Sequence, residues 1–202
     1  MNTADIDNAE FTKSIDILIC IDVQSILNKL NKNKLSLSQD YKKPTKIDDN
    51  FFYYITTKNQ AYSPEKNSTN SLKVTGKVGD IVRWQSSSIS AQFNYKVFLY
   101  HMEKKGANDC ISQPMTIYTL TNVVVPKLKK ALTLPEENSI ELAQAPLADF
   151  IHEKRHIYYQ KSTLRKPGIV QYAWYISIYD NLNKLVGYCN HTPLTSVVIS
   201  ED

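Results

Sequence analysis

The fold class of this chain follows from the stretch LKVTGKVGDIVRW at residues 72–84, which leads through a serine-rich patch into KVFLY at residues 96–100. Gly79 and Asp80 suit a tight turn that enters a strand. The apolar and β-branched residues on both sides of that turn are typical of short strands. We therefore interpret the passage as the start of a strand, with Trp84 as an anchor in the core.

Strand-like segments recur along the rest of the chain. Isoleucine occupies every second position of IDILICID at residues 15–22, and this period-two pattern predicts a strand with one apolar face. Apolar residues at helical spacing follow in residues 23–30 and predict one short helix. Further strands are predicted at residues 51–57, 116–125, 157–159, 170–179, 184–189 and 196–199.

The segments between these strands are short and polar, or carry a weak signal. The serine-rich residues 86–90 are predicted to separate two strands, and residues 127–149 show only weak helical character between prolines. About eight short strands favour a sandwich over a parallel α/β fold, in which long helices alternate with strands. We expect a mainly β fold, an antiparallel β-sandwich of jelly-roll or immunoglobulin-like type with one or two short helices.

Length and composition favour one globular domain. The chain has 202 residues, of which 42% are apolar and 22% are charged, so it can bury a sizeable core. Residues 1–14 are mostly polar, and we expect them to be a flexible N-terminal segment. Residues 15–202 are predicted to form a single β-sandwich domain.

Composition also argues against several classes of function. The five glycines form neither G-x-G-x-x-G nor a Walker A loop, so glycine-loop nucleotide chemistry is not expected. Lys plus Arg exceeds Asp plus Glu by 24 − 20 = 4, an excess too small to indicate a nucleic-acid partner. No apolar stretch is long enough to span a membrane, so we expect no membrane partner.

The N-terminus and the cysteines indicate a cytoplasmic protein. Acidic residues precede the first apolar run, which is the wrong polarity for a secretory signal. Cys20, Cys110 and Cys189 are odd in number and widely spaced, and they suggest free thiols in a reducing compartment. We therefore expect a soluble protein of the cytoplasm.

Residues 152–156 read His-Glu-Lys-Arg-His, which matches the H-E-x-x-H pattern of zinc peptidases. In those enzymes the two histidines lie one helical turn apart and bind zinc, while the glutamate activates a water. Here both intervening residues are cationic, and residues 157–159 resemble a strand rather than a helix. A third ligand is missing from its usual spacing, since only Asp180 or His191 remains. We expect no bound metal, and a zinc hydrolase is the least favoured hypothesis.

A second reactive pair is conceivable near the C-terminus. Cys189 and His191 are two residues apart and would share one face of a continuing strand. No third group that would orient the pair is identifiable, and an isolated cysteine is more often an inert small residue. We therefore expect no catalytic residue, no cofactor and no enzymatic activity.

Aromatic residues offer a different kind of site, since the chain has 13 tyrosines and two tryptophans. Aromatic faces stack on sugar rings, while amide and carboxylate groups bind sugar hydroxyls. The candidates near predicted loops or strand ends are Trp84, Asn94, Tyr95, Tyr188, Asn190 and His191. They are candidates for a glycan-binding or self-contact surface, and the alternative that they are core and interface residues stays open.

Three passages of the chain resemble the PixA/AidA family of bacterial inclusion body proteins. They are the strand at residues 15–22, the stretch VGDIVRWQSSSIS at residues 78–90 with YKVFLYHME at residues 95–103, and the closing hairpin at residues 168–199. The hairpin departs from the family at one point, because Cys-Asn-His-Thr-Pro at residues 189–193 stands where members tend to have Trp-Asp-Pro.

This resemblance implies a cytoplasmic bacterial β-sandwich protein that is made in quantity and found in inclusions, from a family without agreed catalytic residues. We expect a non-enzymatic, self-associating protein of cytoplasmic inclusion bodies, with crystalline inclusions as one form. Its expected partner is itself, as a homodimer or a higher oligomer. The alternative is a carbohydrate-binding, lectin-like β-sandwich module with glycans as partners.

Overall fold

The computed structural model describes residues 13–59, 61, 68–91, 93–106, 109–126, 150–191 and 195–201. The strands are β1 (Ser14–Ile21), β2 (Thr45–Lys46), β3 (Phe52–Thr56), β4 (Lys73–Lys77), β5 (Ile81–Ser88), β6 (Tyr95–Gly106), β7 (Met115–Pro126), β8 (Phe150–Thr163), β9 (Gly168–Asp180), β10 (Leu185–Asn190) and β11 (Thr195–Ser200). The helix α1 spans Val23–Lys32, and a 3-10 turn spans Asp49–Phe51. No described helix is long and apolar enough to cross a membrane.

The strands form two sheets, which confirms the predicted mainly β, sandwich-like fold. One sheet has the strand order β3-β1-β5-β8-β7, and the other has the order β2-β10-β9-β11-β4 with β6 also paired to β9. The pairing is mixed rather than purely antiparallel, because β1 runs parallel to β5, β10 to β2 and β11 to β4. Side chains alternate between faces in both kinds of pair, so the sequence pattern could not distinguish them.

Strand β1 confirms the period-two pattern from which it was predicted. It lies between β3, with which it pairs antiparallel, and β5, with which it pairs in parallel along its whole length. The isoleucines on its core face are buried, whereas Asp16 and Leu18 on the opposite face are exposed. One face of this strand therefore forms part of the core between the two sheets.

The helix α1 follows β1 directly, as the spacing of apolar residues predicted. The carboxylate of Asp22 at its N-cap accepts a hydrogen bond from the backbone N–H of Ser25 at 3.0 Å. This bond satisfies one of the N–H groups that the first turn leaves without a helical partner. Val23, Ile26 and Leu30 on one side of the helix are buried and belong to the hydrophobic core.

The two sheets meet in a buried aromatic cluster around Trp84 of β5. The indole Nε1–H of Trp84 donates a hydrogen bond to the hydroxyl of Tyr172 on β9 at 3.0 Å. The ring centroids of Tyr172 and Trp174 each lie 5.5 Å from that of Trp84, in the edge-to-face geometry that aromatic pairs favour. Trp84 is fully buried and is an anchor of the core, as the sequence predicted.

One buried carboxylate holds the turn between β4 and β5. Gly79 has a φ of 97°, a left-handed conformation that glycine adopts without strain. Asp80 accepts hydrogen bonds from the backbone N–H of Lys13 at 3.0 Å and from that of Lys77 at 2.9 Å. These bonds tie the start of β1 to the turn, which the sequence located correctly.

The predicted break at residues 86–90 is wrong for the first three serines, which extend β5. Ser86 and Ser88 are buried, and their hydroxyls donate hydrogen bonds to the backbone carbonyls of Val97 at 3.0 Å and Tyr95 at 2.7 Å. A buried hydroxyl is tolerated when it is hydrogen-bonded, so these serines occupy core positions of a strand.

The chain divides into two compact units. The smaller unit is Ile117–Tyr158, and the larger unit contains the rest of the chain. Of the smaller unit, the structure describes the parts that belong to β7 and β8. The division into a flexible segment at residues 1–14 and one domain at residues 15–202 stays a prediction. The weak helical character of residues 127–149 lies outside the described residues.

We expect the Tyr172→Phe variant to lose about 1–3 kcal/mol of its free energy of unfolding, because the buried Nε1–H of Trp84 loses its acceptor. Urea denaturation measures this change. Tyr179→Phe, on the same strand, removes a hydroxyl from a partly exposed side chain and is the matched control, with an expected change below about 0.5 kcal/mol. Equal losses in the two variants would contradict the assigned role of the hydrogen bond.

Candidate functional site

The His-Glu-Lys-Arg-His sequence lies in strand β8 and not in a helix. Side chains of a strand alternate between its faces, so His152 and His156 point to the same face with Cα atoms about 13 Å apart. Glu153 points to the other face, where its carboxylate accepts a hydrogen bond from Arg155 at 3.1 Å. The two histidines and the glutamate therefore do not converge on one ion, as they would in a helix.

His156 contacts the neighbouring strand instead. Its Nδ1 shares a hydrogen bond with the hydroxyl of Tyr118 on β7, and the two ring centroids lie 4.6 Å apart at right angles. Both side chains are exposed. Within the part of the chain that the structure describes, no group of three or more His, Cys, Asp or Glu side chains is arranged to hold a metal ion.

Cys189 and His191 are both buried in the core. Burial raises the pKa of the Cys189 thiol to about 12, so the thiol stays protonated at neutral pH and is a poor nucleophile. The Nε2 atom of His191 lies 2.7 Å from the hydroxyl of Tyr54, and its ring packs on that of Phe52 with centroids 4.4 Å apart. The arrangement is that of a core residue pair and not of an activated thiolate.

Three of the predicted surface candidates are buried. Trp84 and His191 have 0% and 1% of their surface exposed, so neither can stack on a sugar or touch a partner molecule. Burial therefore removes both from the candidate surface. Asn190 is also buried, and its side-chain oxygen has no hydrogen-bond partner.

Asn94 and Tyr95 line a small depression near the C-terminal end of β5. Its volume is about 190 Å³, and Asp22, Ser88 and Ile89 also form part of its wall. Ligand sites usually have volumes of about 300–1,000 Å³, so this depression is small for one. Asn94 is exposed, whereas Tyr95 packs partly against the core.

Tyr188, in contrast, belongs to a continuous strip of aromatic rings on the second sheet. The rings of Tyr41, Tyr188, Tyr100, Tyr175 and His101 follow one another with centroid distances of 6.4, 5.5, 6.0 and 4.9 Å. All of them are partly or largely exposed, and each pair is edge-to-face. We call these five residues the aromatic strip.

Polar groups border the aromatic strip. The hydroxyl of Tyr100 donates a hydrogen bond to the backbone carbonyl of Tyr41 at 2.8 Å, and partial burial raises the pKa of Tyr100. The hydroxyl of Tyr175 lies 3.5 Å from a carboxylate oxygen of Glu103. Burial raises the pKa of Tyr175, the carboxylate of Glu103 raises it further, and a hydrogen bond with Asn190 lowers it. Both hydroxyls therefore stay protonated at neutral pH, beside a carboxylate and an amide.

Of the aromatic strip, sequence reasoning named Tyr188 as a candidate but missed the other four members. The strip forms because β10 and β6 both pair with β9, which brings Tyr188 and Tyr100 together from distant parts of the chain. The loop residue Tyr41 extends it. The high tyrosine count was a signal of such a surface, but it could not identify the members.

Comparisons with known proteins agree with this fold. The model of the PixA family, described as inclusion body protein, matches residues 13–197. No curated protein matches the chain. The crystal structure of an inclusion body protein (PixA) from Burkholderia cenocepacia J2315 is similar, with a TM-score of 0.66 and 17% sequence identity over 96% of this chain and 100% of that chain. At this identity the structural likeness concerns the fold.

The strand geometry of the His-Glu-Lys-Arg-His sequence predicts that His152→Ala leaves the zinc content of the purified protein unchanged. The side chain is exposed, so its removal should change the free energy of unfolding by less than about 0.5 kcal/mol. Inductively coupled plasma mass spectrometry measures the zinc content of the wild-type and variant proteins. One zinc ion per chain that is lost in the His152→Ala variant would contradict the prediction.

Proposed function

Because this chain belongs to the PixA family of inclusion body proteins, we propose that it is a non-enzymatic protein that associates with itself and accumulates in cytoplasmic inclusion bodies. Self-association is the physical step from a folded chain to an inclusion. It requires surfaces that gain stability when they meet a further copy of the chain.

The observation that carries the proposal is the exposure of the smaller unit. None of the described side chains at residues 117–125 and 150–158 is buried. On β7, Tyr118, Leu120 and Val124 are 66%, 51% and 61% exposed. The exposed side chains of β7 alternate with partly buried ones, so one face of the strand is open to solvent. Strands that bury neither face completely are only marginally stable in water, because apolar burial supplies most of the stabilisation. A second copy of the chain would supply the apolar surface that these strands lack.

Growth beyond a dimer requires a second contact surface, since a symmetric pair that uses a single patch is closed. The aromatic strip on the larger unit is suited to that role, because tyrosines are enriched in protein–protein interfaces. The net charge of +4 is modest for a chain of this length, so repulsion between copies is weak. These properties support assembly into a dense phase.

We propose the absence of enzymatic activity from the geometry of the two sequence patterns that could have carried catalytic chemistry. The two histidines of His-Glu-Lys-Arg-His are spread along a strand, and Glu153 is engaged with Arg155 on the opposite face. The thiol of Cys189 is buried and protonated. The patterns that would carry hydrolytic or nucleophilic chemistry therefore lack the arrangement that such chemistry needs.

We expect the weight-average mass of the purified chain to rise with concentration from the micromolar to the millimolar range, as measured by sedimentation equilibrium. Apolar contacts dominate the proposed association, so added sodium sulfate should strengthen it. A chain that stays monomeric over the whole concentration range, with and without sulfate, would contradict self-association.

A carbohydrate-binding module is the second candidate function, and the aromatic strip favours it. The strip places tyrosine rings beside the carboxylate of Glu103. Rings that stack on a sugar next to groups that bind its hydroxyls are the usual elements of a glycan site. Tyr41 is largely exposed and Tyr188 is partly exposed, so both rings can contact a ligand.

A glycan array tests this candidate with a pair of matched variants. If a glycan binds to the strip, Tyr188→Ala should abolish the signal because the stacking ring is lost. Tyr188→Phe keeps the ring and should retain most of the binding. An array without any hit, or a hit that survives Tyr188→Ala, would exclude the strip as a glycan site.

A further inference from the structure

We propose that strand β7 pairs antiparallel with β7 of a second copy of this chain, about a two-fold axis at Thr121. This inference rests on the proposed self-association and names the surface that performs it. The interface would be a continuous sheet with the strand order β8-β7-β7-β8, in which the first two strands belong to one copy and the last two to the other. Pairing extends over Ile117–Val125 of each copy.

Strand β7 is suited to this role because it is a long sheet edge without charge. It is the last strand of the first sheet, and no described strand pairs with its other edge. Its twelve residues, MTIYTLTNVVVP, include no Asp, Glu, Lys or Arg. A long, apolar, uncharged edge presents free N–H and C=O groups to another strand, and proteins usually block such edges with charges.

The other edge strands of the described chain carry the usual protection. Strand β2 has two residues, and β4 has five with a lysine at each end. Strand β6, which pairs only with β9, carries Lys96, Glu103, Lys104 and Lys105. Strand β3 has five residues, and its Tyr54 already exchanges backbone hydrogen bonds with the segment at Ser68 and Thr69. Among these described edge strands, β7 alone is both long and uncharged.

A second copy of the same strand is the partner that the charges favour. Two uncharged strands meet without like-charge repulsion, whereas a charged partner strand would lose hydration of its charges without gaining an opposite charge on β7. The cationic residues Lys154 and Arg155 lie on β8. Neighbouring strands are about 4.8 Å apart, so the two β8 strands of the pair are about 14 Å apart, beyond the physiological Debye length of about 8 Å.

The exposed side chains select the register. Residues directly opposite each other in an antiparallel pair point to the same face of the sheet. A two-fold axis at Thr121 places Tyr118 opposite Val124, the two most exposed of the large apolar side chains within the paired segment. Such an aromatic and β-branched pair is among the favourable cross-strand pairs. On the other face Thr121 lies opposite its own copy, and Ile117 lies opposite Val125.

A slip of one residue would break this match. The axis would then lie between two residues. Each exposed side chain of one copy would then lie opposite a partly buried side chain of the other copy, on the same face of the sheet. The alternation of exposure along β7 therefore favours an axis on a residue. Among such axes, the one at Thr121 pairs Tyr118 with Val124 in both halves of the interface.

Leu120→Lys tests the edge. The two introduced ammonium groups would lie on the same face in diagonal positions, with backbones about 7–8 Å apart, in place of two leucines. We expect the dimer dissociation constant, measured by sedimentation, to rise about tenfold or more. Met115→Lys is the matched control, because Met115 is similarly exposed on the same strand, at 59% against 51% for Leu120, but lies outside the paired segment. It should leave the constant unchanged, and circular dichroism verifies the fold of both variants.

Thr121→Cys tests the register. Opposite residues of an antiparallel pair have Cα atoms about 4.5–5.5 Å apart, which is within the range of a disulfide. Under mild oxidation we expect a covalent dimer from Thr121→Cys. Thr119→Cys is the control, because its two copies would be about 14 Å apart, with about 13 Å along the strands and about 4.8 Å between them, and should not cross-link. The wild-type chain, with its own three cysteines, gives the background.

The outcomes separate this inference from the proposed function. If the Leu120→Lys variant associates as strongly as the wild-type chain, the β7 interface is overturned and self-association still stands. A cross-link in the Thr119→Cys variant that equals or exceeds that of Thr121→Cys overturns the register. A wild-type chain that never associates overturns both proposals together.

Discussion

The buried hydrogen bond between Trp84 and Tyr172 is the interaction on which the rest of the structure depends. It joins β5 of one sheet to β9 of the other, and both side chains are fully buried, so a lost hydrogen bond would leave a polar group unpaired in the core. Strand β5 pairs with β1 and β8, and β9 pairs with β6, β10 and β11. Fixing these two strands against each other therefore positions most of the remaining strands. Burial raises the pKa of Tyr172, so its hydroxyl stays neutral in the core.

The same two-layer packing determines which surfaces are left for function. Alternate residues of β9 face the core, so Trp174 is buried while Tyr175 stands on the opposite face in the aromatic strip. In the smaller unit, the described parts of β7 and β8 bury no side chain. These two surfaces, rather than a pocket, are the notable features outside the core.

Motifs in this chain show how strongly secondary structure controls chemistry. A spacing of four residues brings two histidines together on a helix but separates them by about 13 Å on a strand. His152 and His156 therefore lie too far apart to bind one ion, although the sequence pattern is complete. Ser86 illustrates the converse, because a residue typical of turns occupies a core strand position where the backbone carbonyl of Val97 accepts a hydrogen bond from its hydroxyl. In both cases the deciding partner or geometry lies outside the motif.

By itself the sequence determined the mainly β class, the strand β1, the helix α1 and the turn at Asp80. Each of these depends on residues that are close in the chain, so a local pattern is sufficient. Only the tertiary structure decided the mixed strand directions, the burial of His191, and the meeting of Tyr100 with Tyr188. These features depend on which distant strands pair. The alternation of apolar and polar residues is the same for every possible partner, so it carries no information about that choice.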